Sequence, residues 1–242
     1  MTTARLFSSK AQRSEGGTEW LSVADLMAGL MLAFLLIAVL LTREAMSQRD
    51  TVQRLAEEYR DGHAALAGAL DREFADQLKA WNAAFDTETL TLSFDTPEVA
   101  FAPGGSEISD AYQRVLADFF PRYLAVVLQH RHLVDELRIE GHTSSRWAQD
   151  TDPAIAYFKN MALSQARARA VLSHVFFLPS ARTHRSWMSE KVVAVGMSSA
   201  RPVYDSAGQE DFSRSRRVSF RVITNSDAQL RRILERAAPV PG

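Results

Sequence analysis

The sequence predicts a membrane-anchored α+β protein. Its parts are a single N-terminal transmembrane helix, a helical, coiled-coil-like connector and a domain of order β-α-β-α-β-β, with helices on one face of a mixed sheet. Two observations lead to this fold class. Residues 21–41 form an apolar run of 21 residues that holds one charge, Asp25. As a helix this run is ~31 Å long, enough to cross a hydrocarbon core of ~30 Å. From residue 89 the apolar residues alternate with period two, as in half-buried strands.

Composition limits the kinds of domain and binding site that this chain can contain. The chain has 242 residues, which leaves room for one soluble domain beside the apolar run. Its formal net charge is −1, so the chain lacks the overall positive charge that would indicate nucleic-acid binding. The absence of cysteine excludes disulfides and thiolate metal sites. Basic residues stand on both sides of the apolar run, so charge alone does not orient the helix.

Asp25 is the unusual residue of the apolar run. An ionised carboxylate at mid-membrane costs at least ~2.5–3.5 kcal/mol, so an acid inside a span is typical of an ion-relay or other functional site. Trp20, just before the run, suits an interfacial anchor and places the membrane boundary ahead of Asp25. The alternative is that Asp25 is interfacial, because it is only the fifth residue of the run and lies ~6 Å from its start.

Residues 43–86 are predicted to form a helical connector that dimerises. From Leu41 onward mostly apolar or small residues recur at alternating spacings of four and three, with Gln48 and Gly62 as imperfect positions and a later shift in phase. The positions are Leu41, Ala45, Gln48, Val52, Leu55, Tyr59, Gly62, Leu66, Leu70, Phe74, Leu78, Trp81 and Phe85. Two parallel copies would bury such a seam. The alternative is that this stretch packs on another partner or on its own domain.

The C-terminal domain is predicted over residues 87–225. Strands are expected at 89–94, 137–140, 191–195 and 218–223, and two long helices at 109–129 and 153–177. Pro121 predicts a kink in the first of these helices, or two shorter helices. The remaining boundaries are a polar tail at 1–19, the transmembrane helix at 20–42 and a C-terminal helix and tail at 226–242.

Four motifs follow one another in order across residues 89–223. They are Gly141-His-Thr, Asn160-Met-Ala-Leu163-Ser-Gln-Ala-Arg167, Val195-Gly196 and Arg216-Arg217-Val218. This set resembles the OmpA-like peptidoglycan-binding domain. The resemblance implies a peptidoglycan site in which Arg167 takes a stem-peptide carboxylate, with Ser144, Asn160 and Leu163 beside it.

The predicted site departs from the family pattern at its acidic position. Ser144 stands where the family has an Asp that takes the ammonium of diaminopimelate, and Asp150 or Asp152 in the longer loop that follows is a candidate replacement. The alternative for Arg167 is a structural salt bridge with an acid of the domain. His142 is expected to stabilise the turn by a hydrogen bond rather than bind a metal, because no second ligand stands at a suitable spacing.

The order of the parts resembles the MotB-type B subunit of ion-driven stators. The local match is Trp20-Leu-Ser-Val-Ala-Asp25-Leu-Met, whose Asp carries the ion in that family. The resemblance implies a single-pass inner-membrane protein with its N-terminus in the cytoplasm and its C-terminal domain in the periplasm. It also implies a homodimer, peptidoglycan as ligand, and a multi-span MotA-like A subunit as partner, with five A subunits to two B subunits.

Within that superfamily the chain is most like the ZorB subunits of Zorya anti-phage defence systems, which pair with ZorA-like A subunits. The Ser144-Ser145 turn, the long loop after it and the long connector favour this family. The alternatives are a flagellar MotB-type stator subunit and a static anchor between inner membrane and peptidoglycan. No nucleophile elbow, phosphate loop or metal-ligand spacing occurs, so we expect a non-enzymatic subunit without a cofactor, apart from the transported H⁺ or Na⁺.

Overall fold

The computed structural model describes residues 16–95, 100–148 and 151–225. Contacts divide the chain into two units, Met1–Arg54 and Leu55–Gly242. Most of the predicted N-terminal tail (1–19) and the predicted C-terminal helix and tail (226–242) lie outside the described residues.

The first helix, α1, runs from Gly16 to Phe74. Within it, the segment Asp25–Ser47 is long and apolar enough to cross a membrane, with 23 residues and a mean hydropathy of 2.4. Its large hydrophobic side chains, from Leu26 to Met46, are exposed on the surface of the protein. An apolar helix with no buried face in its own chain is typical of a segment whose surroundings are lipid or another subunit. The side chain of Trp20 lies outside the described residues.

The predicted continuation of the connector helix to residue 86 is wrong. Helix α1 ends at Phe74, the chain then turns, and Ala83–Asp86 form the first strand. Leu66, Leu70 and Phe74 are at most 1% exposed and belong to the core of the domain. The predicted alternative, in which the connector packs on its own domain, is therefore confirmed for the C-terminal end of the seam. The side chains of Gln48, Val52, Leu55 and Tyr59 are outside the described part, and dimerisation stays a prediction.

Among the described residues the sheet has five strands, one more than the sequence predicted. They are β1 (Ala83–Asp86), β2 (Thr91–Phe94), β3 (Val134–Gly141), β4 (Val192–Gly196) and β5 (Val218–Thr224). The strand order is β1-β2-β5-β3-β4. Strands β3 and β4 are parallel and the other neighbours are antiparallel, so the mixed sheet is confirmed. The additional strand is β1, at one edge.

Two long helices belong to the domain, α2 (Asp110–Gln129) and α3 (Pro153–Phe177). A 3₁₀ turn (Pro179–His184) and two short helices, α4 (Arg185–Lys191) and α5 (Phe212–Ser215), complete the described part. Ser109 caps α2 by accepting the N–H of Tyr112. Of the two outcomes predicted at Pro121, two shorter helices are wrong, because α2 continues through it. Phe119, Phe120 and Tyr123 are fully buried on either side of Pro121 and hold both halves of α2 in the core.

Aromatic rings join α2 to one face of the sheet. Phe119 lies 5.0 Å from Phe94 of β2 and 4.9 Å from Phe220 of β5, between ring centroids. The strand residues that alternate with these rings are polar, and Ser93 and Ser219 share a hydrogen bond of 2.8 Å. The sheet therefore has one apolar face that packs on helices and one polar face.

Candidate functional site

The structure brings together the four residues that the sequence predicted for the peptidoglycan site. Ser144, Asn160, Leu163 and Arg167 all line one cavity of about 290 Å³. The other lining residues come from the segment before α2, from the turn after β3 and from the start of β5: Phe101, Pro103, Gly104, Thr143, Arg146, Trp147 and Arg216.

Helix α3 approaches the ends of β3 and β4 closely because both strands end in glycine. A Cβ atom at Gly141 would overlap the backbone carbonyl of Ser164. A Cβ at Gly196 would lie 2.6 Å from the backbone N of Gln165. The Gly196 N–H instead donates to the side-chain oxygen of Gln165 at 2.6 Å. The two glycines of the sequence motifs thus set the position of α3, and with it that of Asn160 and Arg167.

The turn after β3 is held on two sides. From α3, the Asn160 side-chain amide donates to the carbonyl oxygens of Ser144 and Arg146, at 3.1 and 3.3 Å. From the loop before α5, Glu210 accepts the backbone N–H of Ser145 at 3.0 Å and also its hydroxyl. Asn160 is 2% exposed. It therefore fixes the shape of the cavity wall.

Arg167 lines the cavity and is 6% exposed. Its Nε donates to the carbonyl oxygen of Gly105 at 2.8 Å, and its guanidinium carbon lies 4.8 Å from the centroid of Phe101. Burial, and after it the charge of Arg216, lowers the pKa of Arg167. The Nη2 of Arg167 also donates to the carbonyl oxygen of Ala102 at 3.5 Å. A guanidinium has five N–H donors in a planar fork, so donors remain beyond these two bonds for a carboxylate in the cavity.

The acid predicted to balance this site is not found among the described residues. Arg167 makes no ion pair within the part of the chain that the structure describes, so the structural salt-bridge alternative lacks support there. Asp152 caps α3 by accepting the N–H groups of Ala154 and Ile155 and does not line the cavity. Asp150 lies outside the described residues.

His142 is buried at the end of β3 and pairs with Glu140, and both line a second recess rather than the cavity. Its Nε2 lies 3.2 Å from a Glu140 carboxylate oxygen, and its backbone N–H donates to Arg217 at 2.9 Å. Burial lowers the pKa of His142, and the charge of Arg217 lowers it further. In the described residues no group of three or more His, Cys, Asp or Glu is placed to hold a metal ion.

Asp25 lies on the exposed surface of α1. It borders a shallow recess that is also lined by Leu26, Gly29, Leu30 and Ala33. A Cβ atom at Gly29 would meet nothing within 4 Å, so the recess exists because this position has no side chain. The carboxylate thus stands beside a place where a neighbouring helix can approach closely.

Comparison with known proteins identifies the family. Over 224 residues the chain is 42% identical to the Zorya protein ZorB of Escherichia coli (strain ATCC 8739, Crooks), a match that covers 93% of this chain and 95% of the relative. The chain belongs to the ZorB family. The OmpA family model also matches residues 100–216, which contain the cavity.

Two solved structures are among those similar to this ZorB-family chain. A putative MotB-like protein from Desulfovibrio vulgaris has 22% identity and a TM-score of 0.46, over 70% of this chain and 93% of that one. The cell wall anchor of the T6SS from Pseudomonas aeruginosa has 24% identity and a TM-score of 0.45, over 64% and 97%.

The lining residues of the cavity that were not predicted include Arg146, Trp147 and Arg216. The guanidinium carbon of Arg146 lies 3.9 Å from the centroid of Phe212, and Lys159 lies 5.7 Å from that of Trp147. The basic-aromatic pair Arg146-Trp147 in an otherwise polar loop was the available sequence signal. Arg216 stood inside a recognised motif, but the motif does not indicate which of its two arginines faces the cavity.

Proposed function

We propose that this ZorB-family chain is the peptidoglycan-anchored, non-enzymatic B subunit of an ion-driven inner-membrane rotary motor in an anti-phage defence system. The observation that carries the proposal is Asp25, a carboxylate in an apolar, membrane-length part of α1, in the same chain as an OmpA-family domain. The N-terminus lies in the cytoplasm and the domain in the periplasm. Two copies stand inside a ring of five ZorA-like A subunits.

In this proposal Asp25 alternates between charged and neutral forms. The ionised form is costly against hydrocarbon, so it needs a polar slot of the A subunit, and binding of H⁺ or Na⁺ removes that need. One charge that crosses the membrane supplies ~2.3 kcal/mol per 100 mV. The recess at Gly29 lets an A-subunit helix come close to the carboxylate.

The wall site keeps the B subunits from turning with the A subunits. A carboxylate of the peptidoglycan stem peptide would enter the cavity and accept hydrogen bonds from Arg167. Asn160 and Glu210 hold the turn that forms the opposite wall, so the site is formed before the ligand arrives.

The motor part is tested by the efficiency of phage plating on cells that carry the native operon. Asp25→Asn keeps the shape of the side chain and removes its charge, so we expect protection to be lost while the protein remains in the membrane. Asp50→Asn, an exposed change on the same helix beyond the apolar segment, is the matched control and should protect normally.

Full protection by Asp25→Asn, at equal abundance in the membrane, would reject the ion relay. It would favour the second candidate, a static anchor between membrane and wall. One observation supports that candidate: Asp25 is the first residue of the segment long enough to cross the membrane, a position from which a carboxylate reaches the headgroups.

The wall part is tested by co-sedimentation of the purified chain with peptidoglycan sacculi. Arg167→Glu reverses the charge in the cavity, and we expect at least a tenfold loss of binding, because a charge-assisted hydrogen bond becomes a repulsion. Arg169→Glu places the same change on the exposed side of α3 and should bind like wild type. Equal sedimentation of the two variants would reject Arg167 as a ligand.

A further inference from the structure

The polar face of the sheet carries the second recess, which has a volume of about 330 Å³. Ser93 and Ser219, which alternate with the buried rings of Phe94 and Phe220, line this recess, so it lies on the face of the sheet opposite α2. Its volume is at the lower end of the range for small-molecule sites, ~300–1,000 Å³. All but two of its described lining residues are polar or charged, so it suits a small polar ligand.

Two nitrogen atoms of residues that line the second recess are buried without a hydrogen-bond partner among the described residues. They are Nδ1 of His142 and Nε of Arg221. The whole side chain of His142 is 2% exposed. A buried polar atom without a partner costs free energy, and folded proteins keep few of them. An occupant of the second recess is therefore placed to satisfy both atoms.

These two atoms have opposite hydrogen-bonding roles. Nε of Arg221 carries a proton and can only donate. Nε2 of His142 lies 3.2 Å from a carboxylate oxygen of Glu140. Burial lowers the pKa of His142, so its ring is neutral at neutral pH and has one proton. That proton lies on Nε2, which faces the carboxylate, so Nδ1 has a lone pair and accepts.

The occupant must therefore accept a hydrogen bond at one point and donate one at another. A carboxylate or a fully ionised phosphate has only acceptors and would bring negative charge against the lone pair of His142 Nδ1. An ammonium group has only donors and would meet the Nε–H of Arg221. A hydroxyl or an amide combines both roles in a neutral group, and it fits the two atoms without adding charge.

The lining of the second recess favours a sugar over a peptide. An extended peptide is recognised through pockets for its alternate side chains, and the apolar lining residues here are only Ala84 and Val203. The floor instead offers the hydroxyl groups of Thr91, Ser93 and Ser219. An N-acetylated sugar ring presents several hydroxyls and one amide, which is the combination of groups that this lining can bind.

The second recess adjoins the wall cavity along two segments of the chain. Thr143 and Arg216 line the cavity, whereas their sequence neighbours His142 and Arg217 line the second recess. Peptidoglycan carries N-acetylated sugars and stem peptides in one molecule, because each stem peptide is attached to a sugar of the glycan strand. A single piece of wall therefore contains a ligand for each site.

We propose that the second recess binds N-acetylated sugars of the peptidoglycan glycan strand. His142 Nδ1 accepts a hydrogen bond from a hydroxyl or amide of the sugar, and Arg221 Nε donates to a hydroxyl or carbonyl oxygen. The inference rests on the proposed function for the source of its ligand. It adds a glycan contact to the stem-peptide contact of Arg167, and the two contacts are measured with different ligands.

The test uses glycan strands from which an amidase has removed the stem peptides, labelled at the reducing end. Binding to the full-length chain, in a detergent without a sugar headgroup, is followed by fluorescence anisotropy. We expect Arg221→Lys to bind about tenfold more weakly, because lysine keeps the charge but lacks the Nε–H. Arg138→Lys is the matched control and should bind like wild type. Arg138 stands opposite Arg221 on the neighbouring strand but does not line the second recess.

Competition identifies the chemistry of the occupant. Tri-N-acetylchitotriose, a neutral oligomer of the same acetylated sugar, should displace the strands. N-acetyl-triglycine amide and, at equal ionic strength, inorganic phosphate should not. Displacement by the peptide would mean that the recess takes a protein backbone, and displacement by phosphate would mean that it takes an anion. Either result overturns the inference.

A second readout does not depend on how well a variant folds. In the ¹⁵N-labelled wild-type chain, the Nδ1 resonance of His142, assigned by its absence from His142→Gln, should shift when tri-N-acetylchitotriose is added. A lone pair that gains a hydrogen bond changes its shielding, whereas a merely structural histidine would keep its resonance. An unchanged resonance at saturating sugar overturns the inference.

The remaining outcomes separate the two proposals. A wild-type chain that sediments with sacculi but does not bind free glycan strands overturns the inference and leaves the proposed wall-binding function in place. Equal binding of the strands by Arg221→Lys and Arg138→Lys also overturns the inference. A chain that binds neither sacculi nor strands overturns the proposed wall-binding function and the inference with it.

Discussion

Asn160 shows how a buried side chain can fix the shape of the cavity wall. Its amide nitrogen donates to two backbone carbonyls of the turn, those of Ser144 and Arg146. Asn160 and Arg167 both line the cavity, but their contacts differ. Asn160 holds the turn after β3, whereas Arg167 contacts the segment before α2.

The buried pair of His142 and Glu140 predicts a dependence of stability on pH. Because burial lowers the pKa of His142 in the folded chain, the unfolded chain takes up the proton first as the pH falls below about 6.5. The free energy of unfolding should therefore decrease between pH 7.5 and 5.5, by at most ~1.4 kcal/mol per pH unit for one proton. His142→Gln should flatten this part of the curve.

The measurement is thermal unfolding of the purified chain in detergent by circular dichroism. Glu140 affects the stability of the folded chain in a different range of pH. Burial opposes its charge, but the hydrogen bond from His142 and nearby arginines lower its pKa overall, so its contribution is lost only below about pH 4.5. His132→Gln, at an exposed position, is the control. An unchanged slope in His142→Gln would contradict the assignment.

At the scale of elements, the last turns of α1 are part of the domain. Phe74 packs against Phe119 of α2, with ring centroids 5.2 Å apart. Arg122 of α2 lies over the Phe74 ring at 5.2 Å and pairs with Glu73 at 2.6 Å. A fragment that begins at residue 89 would lose these contacts and β1, so the domain should be produced from Leu55, where the second unit begins.

We expect Phe74→Ala to destabilise the domain by about 3–5 kcal/mol, the usual cost of removing a fully buried aromatic ring. Urea unfolding of a chain that begins at Leu55 measures this, because its free energy of unfolding refers to the domain alone. Asp71→Ala, one turn earlier and exposed, should change stability by less than about 0.5 kcal/mol. Equal stability of the two variants would mean that the end of α1 only rests on the surface.

The sequence predicted α2, α3 and four strands well, because each carries a long periodic pattern or a flanking glycine or proline. It missed β1 because that strand has four residues, and because Trp81 and Phe85 continue the helical spacing of the connector. Two local features form the turn that joins β1 to β2. Asp86 accepts the backbone N–H groups of Glu88 and Thr89, and Leu90 adopts a positive φ of 50°. This tight turn returns the chain into β2, and local turn geometry of this kind is not visible in a hydrophobic pattern.

The wall site was predictable to the extent that its residues belong to one motif. Asn160, Leu163 and Arg167 lie on successive turns of α3 and face the same way. Arg146 and Arg216 come from a loop and a strand start that meet only when the sheet forms, so spacing along the chain cannot indicate their position. The charge of the site is therefore a property of the fold.

At the scale of the whole molecule, the chain joins two kinds of electrostatic site. Asp25 is the single charged residue of the apolar run 21–41, and the cavity is lined by several guanidinium groups. In the proposed motor the first must change its charge at every step, whereas the second must keep its charge. Arginine suits the second role because it stays protonated at any physiological pH.

The burial of Leu66, Leu70 and Phe74 has a mechanical consequence. A pull along α1 is resisted by the core of the domain, because these three side chains would have to leave it together. At ~1.5–3 kcal/mol for each, their extraction costs ~5–9 kcal/mol. One ion that crosses 100 mV supplies only ~2.3 kcal/mol. The energy from a single ion is thus too small to pull the end of α1 out of the domain, and in the proposed motor α1 can serve as a tether to the wall site.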